Sequence, residues 1–225
     1  MIKIVSGNIF NTECDYIVNT VNCMGVMGAG IAYEFKLRYP EMYKKYKKIC
    51  EDNLFDIGML WIYKDPDKNI LCFPTKKHWK YPSKIEYLEL GLQKFVSIYK
   101  EKGIKSIAFP ILGASLGGIN IKDSLCIMEK YLSLCDIYIE IWMYDPKSID
   151  DVFINYKKNL LSKEDSYLSE KTGIKINIIK KIKTALMSND IYSLSGLLSI
   201  DGIGEKTLEK SYSFAKKKPD QYDLF

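Results

Sequence analysis

The chain has 225 residues, of which 47% are hydrophobic and 27% charged, and its formal net charge is +5. A chain of this length can bury one medium-sized core and still form a second, smaller domain. No stretch approaches the roughly 20 apolar residues that a membrane-spanning helix needs, and the N-terminus lacks the apolar region of a signal peptide. We therefore expect a globular, cytoplasmic protein with no membrane partner. So small a positive excess permits nucleic-acid contact without requiring it.

Residue types that bind metals or act as nucleophiles are sparse. The six cysteines are scattered without a C-x-x-C pair, mostly in apolar runs, and we interpret them as reduced core residues. The single histidine, His78, excludes Ser-His-Asp and Cys-His hydrolases, H-E-x-x-H metalloproteases and multi-histidine zinc sites. We expect no metal and no other cofactor, so that lysine, carboxylates, tyrosine and backbone amides remain for chemistry.

Strand-like and helix-like segments alternate over the first part of the chain. The strand predictions follow β-branched and aromatic runs, and the helix predictions follow helical apolar spacing. The strands are predicted at Ile2–Val5, Tyr16–Thr20, Met59–Tyr63, Ile70–Phe73, Ser106–Phe109 and Ile137–Met143, and the helices at Gly30–Arg38, Glu41–Cys50, Lys84–Lys102 and Lys122–Leu134. A turn-rich segment, 65–69, joins two strands into an antiparallel hairpin. Residues 1–147 are therefore predicted to form an α/β sandwich with a mixed sheet.

Helical patterns dominate after Asp145-Pro146. They predict a small helical region over 148–225, with helices at Asp151–Leu161, Ile174–Met187, Ile191–Leu198 and Glu205–Ala215. The turn Gly202-Ile203-Gly204, followed by Lys206, resembles a helix-hairpin-helix motif, whose amides and lysine contact a nucleic-acid phosphate. An ordinary glycine-closed helical turn fits the same residues. Periodicity is lost over 216–225, which predicts a disordered end.

Two glycine-rich loops each follow a strand and precede a helix, one over 25–30 and one over 113–118. Glycine lets the backbone adopt positive φ and approach a ligand closely, and the start of a helix favours an anion. Ligands of open α/β sheets bind at the carboxyl ends of the strands. We therefore predict that both loops face one diphosphate from opposite sides, although the spacing matches neither the Rossmann nor the P-loop fingerprint.

Four separated segments, in chain order, resemble the macrodomain family, which binds ADP-ribose. They are 7–10, 21–32, 73–80 and 110–118. The resemblance covers residues 1–145 and implies a three-layer α/β/α sandwich. It points to the branch that contains a bacterial antitoxin acting as a DNA ADP-ribosyl glycohydrolase and the human terminal ADP-ribose protein glycohydrolase. It implies hydrolysis at the anomeric carbon of the distal ribose, with release of ADP-ribose from a modified base or protein side chain.

The resemblance also implies a role for each ligand-binding segment. Asn8 and the amide of Ile9 would contact adenine, and Tyr144 would stack on its ring. Many relatives carry aspartate where Asn8 stands, so adenine recognition here would lack charge assistance. An ordinary strand-end tyrosine explains Tyr144 nearly as well. The first loop would hold the distal ribose and the neighbouring phosphate, through Gly28, Ala29, Gly30 and Ile31. The second loop would hold the diphosphate, through Gly113, Ala114, Ser115, Leu116, Gly117 and Gly118.

Lys76 is the implied catalytic residue, with Asn22 at the distal ribose and Thr75 among the ligand contacts. Lys76 would act either as a neutral nucleophile or, when charged, as a stabiliser of the leaving group. A pair such as Lys76-Lys77 is otherwise more often surface charge. The human relative has an aspartate where Gly117 stands, which keeps a non-catalytic ADP-ribose-binding module open as an alternative. Ser115 stands where relatives tend to have glycine.

The segment after Lys76 carries aromatic and basic side chains. His78 and Trp79 would stack on a substrate base, although a tryptophan at the edge of the core fits equally well. The expected partners are ADP-ribose and either single-stranded DNA or an ADP-ribosylated protein. A third hypothesis is an antitoxin whose C-terminal helices bind a toxin ADP-ribosyltransferase.

Overall fold

The computed structural model describes residues 1–188 and 190–216. The chain divides into two compact units, Met1–Tyr144 and Asp145–Phe225. The predicted disordered end, from residue 217 onward, lies outside the described residues. No helix in the described part of the chain is long and apolar enough to cross a membrane. The predicted cytoplasmic location stays a prediction.

The first unit is built on a six-stranded sheet. Its strands are β1 (Ile2–Gly7), β2 (Tyr16–Asn22), β3 (Trp61–Tyr63), β4 (Asn69–Lys76), β5 (Ser106–Pro110) and β6 (Tyr138–Tyr144). Their order across the sheet is β1-β6-β5-β2-β4-β3. Every pairing is parallel except that of β3 with β4, which is antiparallel. The predicted mixed sheet and its hairpin are confirmed.

Two helix layers cover the sheet, one on each face. Side chains of β2 alternate between the two faces and pack against both layers. The helices are α1 (Gly30–Arg38), α2 (Pro40–Glu51), α3 (Ile85–Ile98) and α4 (Ile121–Leu132). On one face, Val18 packs in a buried cluster with side chains of α3 and α4, including Phe95 and Met128. On the other, Ile17 packs in a cluster with side chains of α1 and α2, including Phe35. The α/β/α sandwich is therefore confirmed.

A buried carboxylate ties β6 to the segment after β1. Glu140 accepts hydrogen bonds from Thr12 Oγ1 at 2.6 Å, Trp142 Nε1 at 2.8 Å and Tyr138 Oη at 3.0 Å. Burial raises the pKa of Glu140, but these hydrogen bonds together lower it below its ordinary value. The ionised carboxylate therefore stabilises the fold near neutral pH.

The second unit is helical, as predicted, with one addition and one correction. Its helices are α5 (Asp151–Ser162), α6 (Asp165–Thr172), α7 (Ile176–Met187) and α8 (Glu205–Lys216). Helix α6 was not predicted, since Leu168 is its one fully buried residue and gives no apolar period. The helix predicted over 191–198 is wrong: a 3-10 helix spans Ser195–Ser199 instead. The Ser193 hydroxyl accepts from the Gly196 amide at 3.2 Å, which competes with an α-helical start.

Candidate functional site

The strand ends bring the predicted catalytic residues together. Asn22 ends β2 and Lys76 ends β4, and the two are partners in the parallel register. The register shifts by one residue just before this pair, so that the buried Thr75 lies at the irregularity. A Cβ on Gly30, at the start of α1, would lie 3.1 Å from Leu116 Cδ1. The two glycine-rich loops therefore meet beside Asn22 and Lys76, as the sequence predicts.

The side chain of Asn22 organises the first loop. Its Nδ2 donates to the Val26 carbonyl at 2.6 Å, and its Oδ1 accepts from the Met24 amide at 2.9 Å. The Tyr46 hydroxyl donates to the Asn22 carbonyl at 2.5 Å. These bonds fix the loop that runs through Gly28 to Ala29, the N-cap of α1. The amides of the first turn of α1 have no acceptor within the helix. Asn22 thus shapes the loop, and its role in the reaction stays a prediction.

The adjacent lysines at the end of β4, Lys76 within the strand and Lys77 just after it, have different partners. Lys76 Nζ donates to the Leu116 carbonyl of the second loop at 2.7 Å. Lys77 Nζ instead forms an ion pair with Asp56 at 2.5 Å, and this hydrogen bond lowers the pKa of the Asp56 carboxyl. Lys77 follows the last residue of β4, and the two ammonium groups are held by different partners. Of this pair, Lys76 alone contacts the glycine-rich loop.

The second loop is built from left-handed backbone. Gly113 has φ of 65° and Gly118 has φ of 82°, a region that glycine enters freely. Ser115 also lies there, at φ of 51°, where a Cβ is disfavoured by about 1–2 kcal/mol. Ser115 therefore occupies a backbone conformation that favours glycine, which is consistent with the expectation that relatives tend to have glycine at this position.

The amides of the second loop fall into two groups. The Gly117 amide donates to the Ala114 carbonyl at 2.9 Å, and the Gly118 amide donates to the Ser115 carbonyl at 3.1 Å. Within the residues that the structure describes, the amides of Ala114, Ser115 and Leu116 have no acceptor. These three consecutive donors lie beside the Leu116 carbonyl that receives Lys76. They form a ready anion-binding surface.

Ser83, which the sequence analysis missed, lies beneath the second loop. Its amide donates to the Gly117 carbonyl at 2.9 Å. Its side chain is 8% exposed, and its Oγ has no hydrogen-bond partner among the described residues. A Cβ on Gly117 would lie 2.8 Å from this Oγ, and a Cβ on Gly113 would lie 3.2 Å from Ser83 Cβ. The close approach of Ser83 therefore explains Gly117, whereas a Cβ on Gly113 would meet Ile119 Cδ1 first, at 2.7 Å.

The predicted adenine end lies where β1 and β6 finish. Gly7 and Tyr144 are register partners, and Asn8 follows directly. The Asn8 Oδ1 accepts from the Phe10 amide at 3.1 Å and so caps a 3-10 helix that begins at Ile9. The Tyr144 side chain is 70% exposed. The register places Tyr144 at the strand end that Asn8 follows, while its stacking on adenine stays a prediction.

In the aromatic segment after Lys76, His78 is half-buried and Trp79 is exposed. The His78 and Trp79 rings stack with centroids 5.7 Å apart and an interplanar angle of 24°. Lys80 Nζ lies 5.2 Å from the centroid of the Trp79 ring, which is 48% exposed. Such a ring offers one face to a base while a cation lies near.

This unit is an α/β/α sandwich whose two glycine-rich loops meet at the carboxyl edge of a mixed sheet. The family model for the Macro domain matches residues 18–128. The solved macrodomain of Mycobacterium tuberculosis DarG is similar over 63% of this chain and 97% of that one, with a TM-score of 0.61 and 39% identity. The chain belongs to the macrodomain family.

Two bacterial proteins are similar in sequence. The Mycobacterium tuberculosis DNA ADP-ribosyl glycohydrolase is 43% identical over 127 residues, which are 55% of this chain and 36% of that protein. A DNA ADP-ribosyl transferase-DNA ADP-ribosyl glycohydrolase fusion protein of Thermosipho africanus is 33% identical over 175 residues, 69% of this chain and 45% of the fusion. This chain therefore spans less than half the length of either relative.

The structure of the Thermosipho africanus protein DarTG in complex with ADP-ribose is also similar. It has a TM-score of 0.62 and 33% identity, and covers 67% of this chain and 43% of that one.

Proposed function

We propose that this chain is an ADP-ribosyl glycohydrolase that releases ADP-ribose from a modified nucleic-acid base, with Lys76 as the catalytic residue. The observation that carries the proposal is the hydrogen bond from Lys76 Nζ to the Leu116 carbonyl, which holds an ammonium group at the glycine-rich cleft. The names and ligand of the macrodomain relatives support the same chemistry.

The diphosphate of ADP-ribose fits the cleft by charge. The open amides of Ala114, Ser115 and Leu116 lie on one side, and the start of α1 at Gly30 and Ile31 lies on the other. Both groups favour an anion. With adenine at Tyr144, the distal ribose extends toward the paired strand ends at Asn22 and Lys76.

Lys76 acts as a charged group in this proposal. In the structure its Nζ donates a hydrogen bond to the Leu116 carbonyl, which holds the group beside the amides of the second loop. In the reaction, water adds to the anomeric carbon as the bond from that carbon to the base breaks. The electron pair of that bond goes to the base, where Lys76 stabilises the developing negative charge until the base takes up the proton that the attacking water loses.

A nucleic-acid substrate is favoured over a protein side chain by the exposed aromatic segment. The stacked His78 and Trp79 rings and the nearby Lys80 suit an unpaired base and its phosphate. We propose ADP-ribosylated single-stranded DNA as the substrate, which agrees with the names of the relatives. The fusion in Thermosipho africanus also supports an ADP-ribosyltransferase as the partner whose product this chain reverses.

The test compares two neighbouring lysines. Lys76→Ala removes the ammonium group at the end of β4, Lys77→Ala removes that of the next residue, and both side chains lie outside the buried core. ADP-ribose release is measured from ADP-ribosylated single-stranded DNA and from an ADP-ribosylated protein. We expect Lys76→Ala to lower release from DNA by about 100-fold or more while ADP-ribose affinity stays within about threefold, and Lys77→Ala to keep its activity. Equal loss in both variants would refute the role of Lys76, and release from the protein alone would refute the DNA substrate.

A further inference from the structure

The second unit contains an internal repeat with a period of 29 residues. Helices α7 and α8 each have 12 residues, and α8 begins and ends 29 positions after α7 (205 − 176 and 216 − 187). Gly202 follows Gly173 by the same 29 positions, and both are left-handed, with φ of 81° and 65°. The next residues, Ile203 and Ile174, are both buried. In each copy, therefore, a left-handed glycine and a buried isoleucine precede a helix of 12 residues.

Packing and hydrogen bonds repeat with the turns. Leu168 and Leu197 are fully buried, as are Ile179 and Leu208, and each pair keeps the 29-residue offset. The Ile178 amide donates to the Lys175 carbonyl at 2.9 Å, and the equivalent Thr207 amide donates to Gly204 at 3.0 Å. The unit thus holds two helix-hairpin-helix copies, although the first helix of the second copy is 3-10.

Reciprocal contacts relate the two copies by an approximate two-fold axis. Lys181 of α7 donates to the Asp201 carbonyl in the second turn at 3.2 Å, and Lys210 of α8 donates to the Gly173 carbonyl in the first turn at 2.5 Å. Lys210 follows Lys181 by the same 29 positions. A Cβ on Gly202 would lie 3.4 Å from Lys181 Nζ, and a Cβ on Gly173 would lie 3.4 Å from Lys210 Nζ. Such exchanged contacts are the mark of a two-fold arrangement.

A basic groove runs beside the first hairpin. Its volume is about 530 Å³, and its lining includes Lys171, Lys206 and Lys210, with Glu209 and Phe214. Lys175, in the first hairpin, is exposed, as is Lys206, the second residue of α8. The two hairpins and the groove therefore present ammonium groups on one connected part of the unit.

We propose that the C-terminal unit binds the sugar-phosphate backbone of duplex DNA, with one hairpin on each strand. The strands of a duplex are themselves related by two-fold axes, so a paired motif matches them as a two-fold dimer matches a palindromic site. Lysines and backbone amides are the groups that contact phosphates without reading sequence. This binding uses neither ADP-ribose nor Lys76, and so it stands apart from the proposed hydrolysis.

The test measures the affinity of the full chain for a labelled 20-bp duplex, and for one strand of it, by fluorescence anisotropy between 50 and 200 mM salt. Lys175→Glu and Lys206→Glu change one hairpin each, and Lys158→Glu, on the exposed side of α5, makes the same charge change elsewhere. We expect tighter binding of the duplex, a loss of about threefold to tenfold for each hairpin variant, a salt slope lower by about 1, and less than twofold loss for the control.

Several results would overturn the proposal. They are no duplex binding by the wild-type chain, equal loss in all three variants, and loss in only one of the two hairpin variants. Preference for the single strand would also contradict it. Lys175→Gln and Lys206→Gln, together with thermal unfolding of each variant, separate lost contacts from lost folding. Lys76→Ala should bind the duplex with the same affinity as the wild type. Loss of hydrolysis would therefore count against the proposed function alone, and loss of duplex binding would count against this inference alone.

Discussion

The close approach of Ser83 to the second loop makes Gly117→Ala a sharp perturbation. The new Cβ would lie 2.8 Å from Ser83 Oγ and 3.4 Å from Ser83 Cβ, so the conflict lies with the hydroxyl alone. An overpacked site of this kind costs about 1–3 kcal/mol. Ser83→Ala removes the hydroxyl and leaves an ordinary 3.4 Å contact. Because that hydroxyl is buried without a partner, we expect Ser83→Ala to stabilise the chain by about 1 kcal/mol.

The double variant separates the clash from other effects. Urea unfolding of the wild type, both single variants and the pair gives the coupling free energy, which we expect to be about 1–2 kcal/mol in favour of the double variant. ADP-ribose release should follow the same pattern, since the Leu116 carbonyl that holds Lys76 precedes Gly117 directly. Additive free energies, with Gly117→Ala equally destabilising in the Ser83→Ala background, would refute this account of the loop.

Three further predictions address the backbone, the core and pH. Ser115→Gly should stabilise the chain by about 0.5–1 kcal/mol in urea unfolding, because glycine relieves the strain of the left-handed backbone. As a control, Ser133→Gly should destabilise the chain, because Ser133 has an ordinary φ of −63°. Gly91→Ala should destabilise by about 1–3 kcal/mol despite its better helix propensity, because its Cβ would meet the Phe73 ring; recovery in combination with Phe73→Leu checks the cause. The folded-state pKa of Glu140 is lowered, so its contribution to stability is complete above about pH 4.3 and is lost as the pH falls through the folded-state pKa; Glu140→Gln should flatten this acid loss in pH-dependent thermal unfolding.

Much of the first unit follows from its sequence because its elements are strongly patterned. The strand predicted at Ile2–Val5 and the helix predicted at Gly30–Arg38 agree closely with β1 and α1. Parallel strands of a crossover fold end at one edge, so the meeting of the two glycine-rich loops could be predicted as well. Local period and chain topology were sufficient for these features.

Other features depend on contacts between distant parts of the chain. Nothing local distinguishes Lys76 from Lys77, whereas the structure gives them different partners, Leu116 and Asp56. Ser83 has no motif, and its position beneath Gly117 comes from how the start of α3 packs on the second loop. The repeat around Gly173 was missed because the two copies share few identical residues and are alike chiefly in backbone conformation and burial.

The most direct test of the proposed function is single-turnover release of ADP-ribose from an ADP-ribosylated single-stranded oligonucleotide, with ADP-ribose binding measured calorimetrically on the same samples. We predict that the wild-type chain binds ADP-ribose and completes release, while Lys76→Ala binds with similar affinity and releases it at least about 100-fold more slowly. A wild-type chain that binds ADP-ribose and releases none from the oligonucleotide would contradict the proposal and identify the cleft as a binding module.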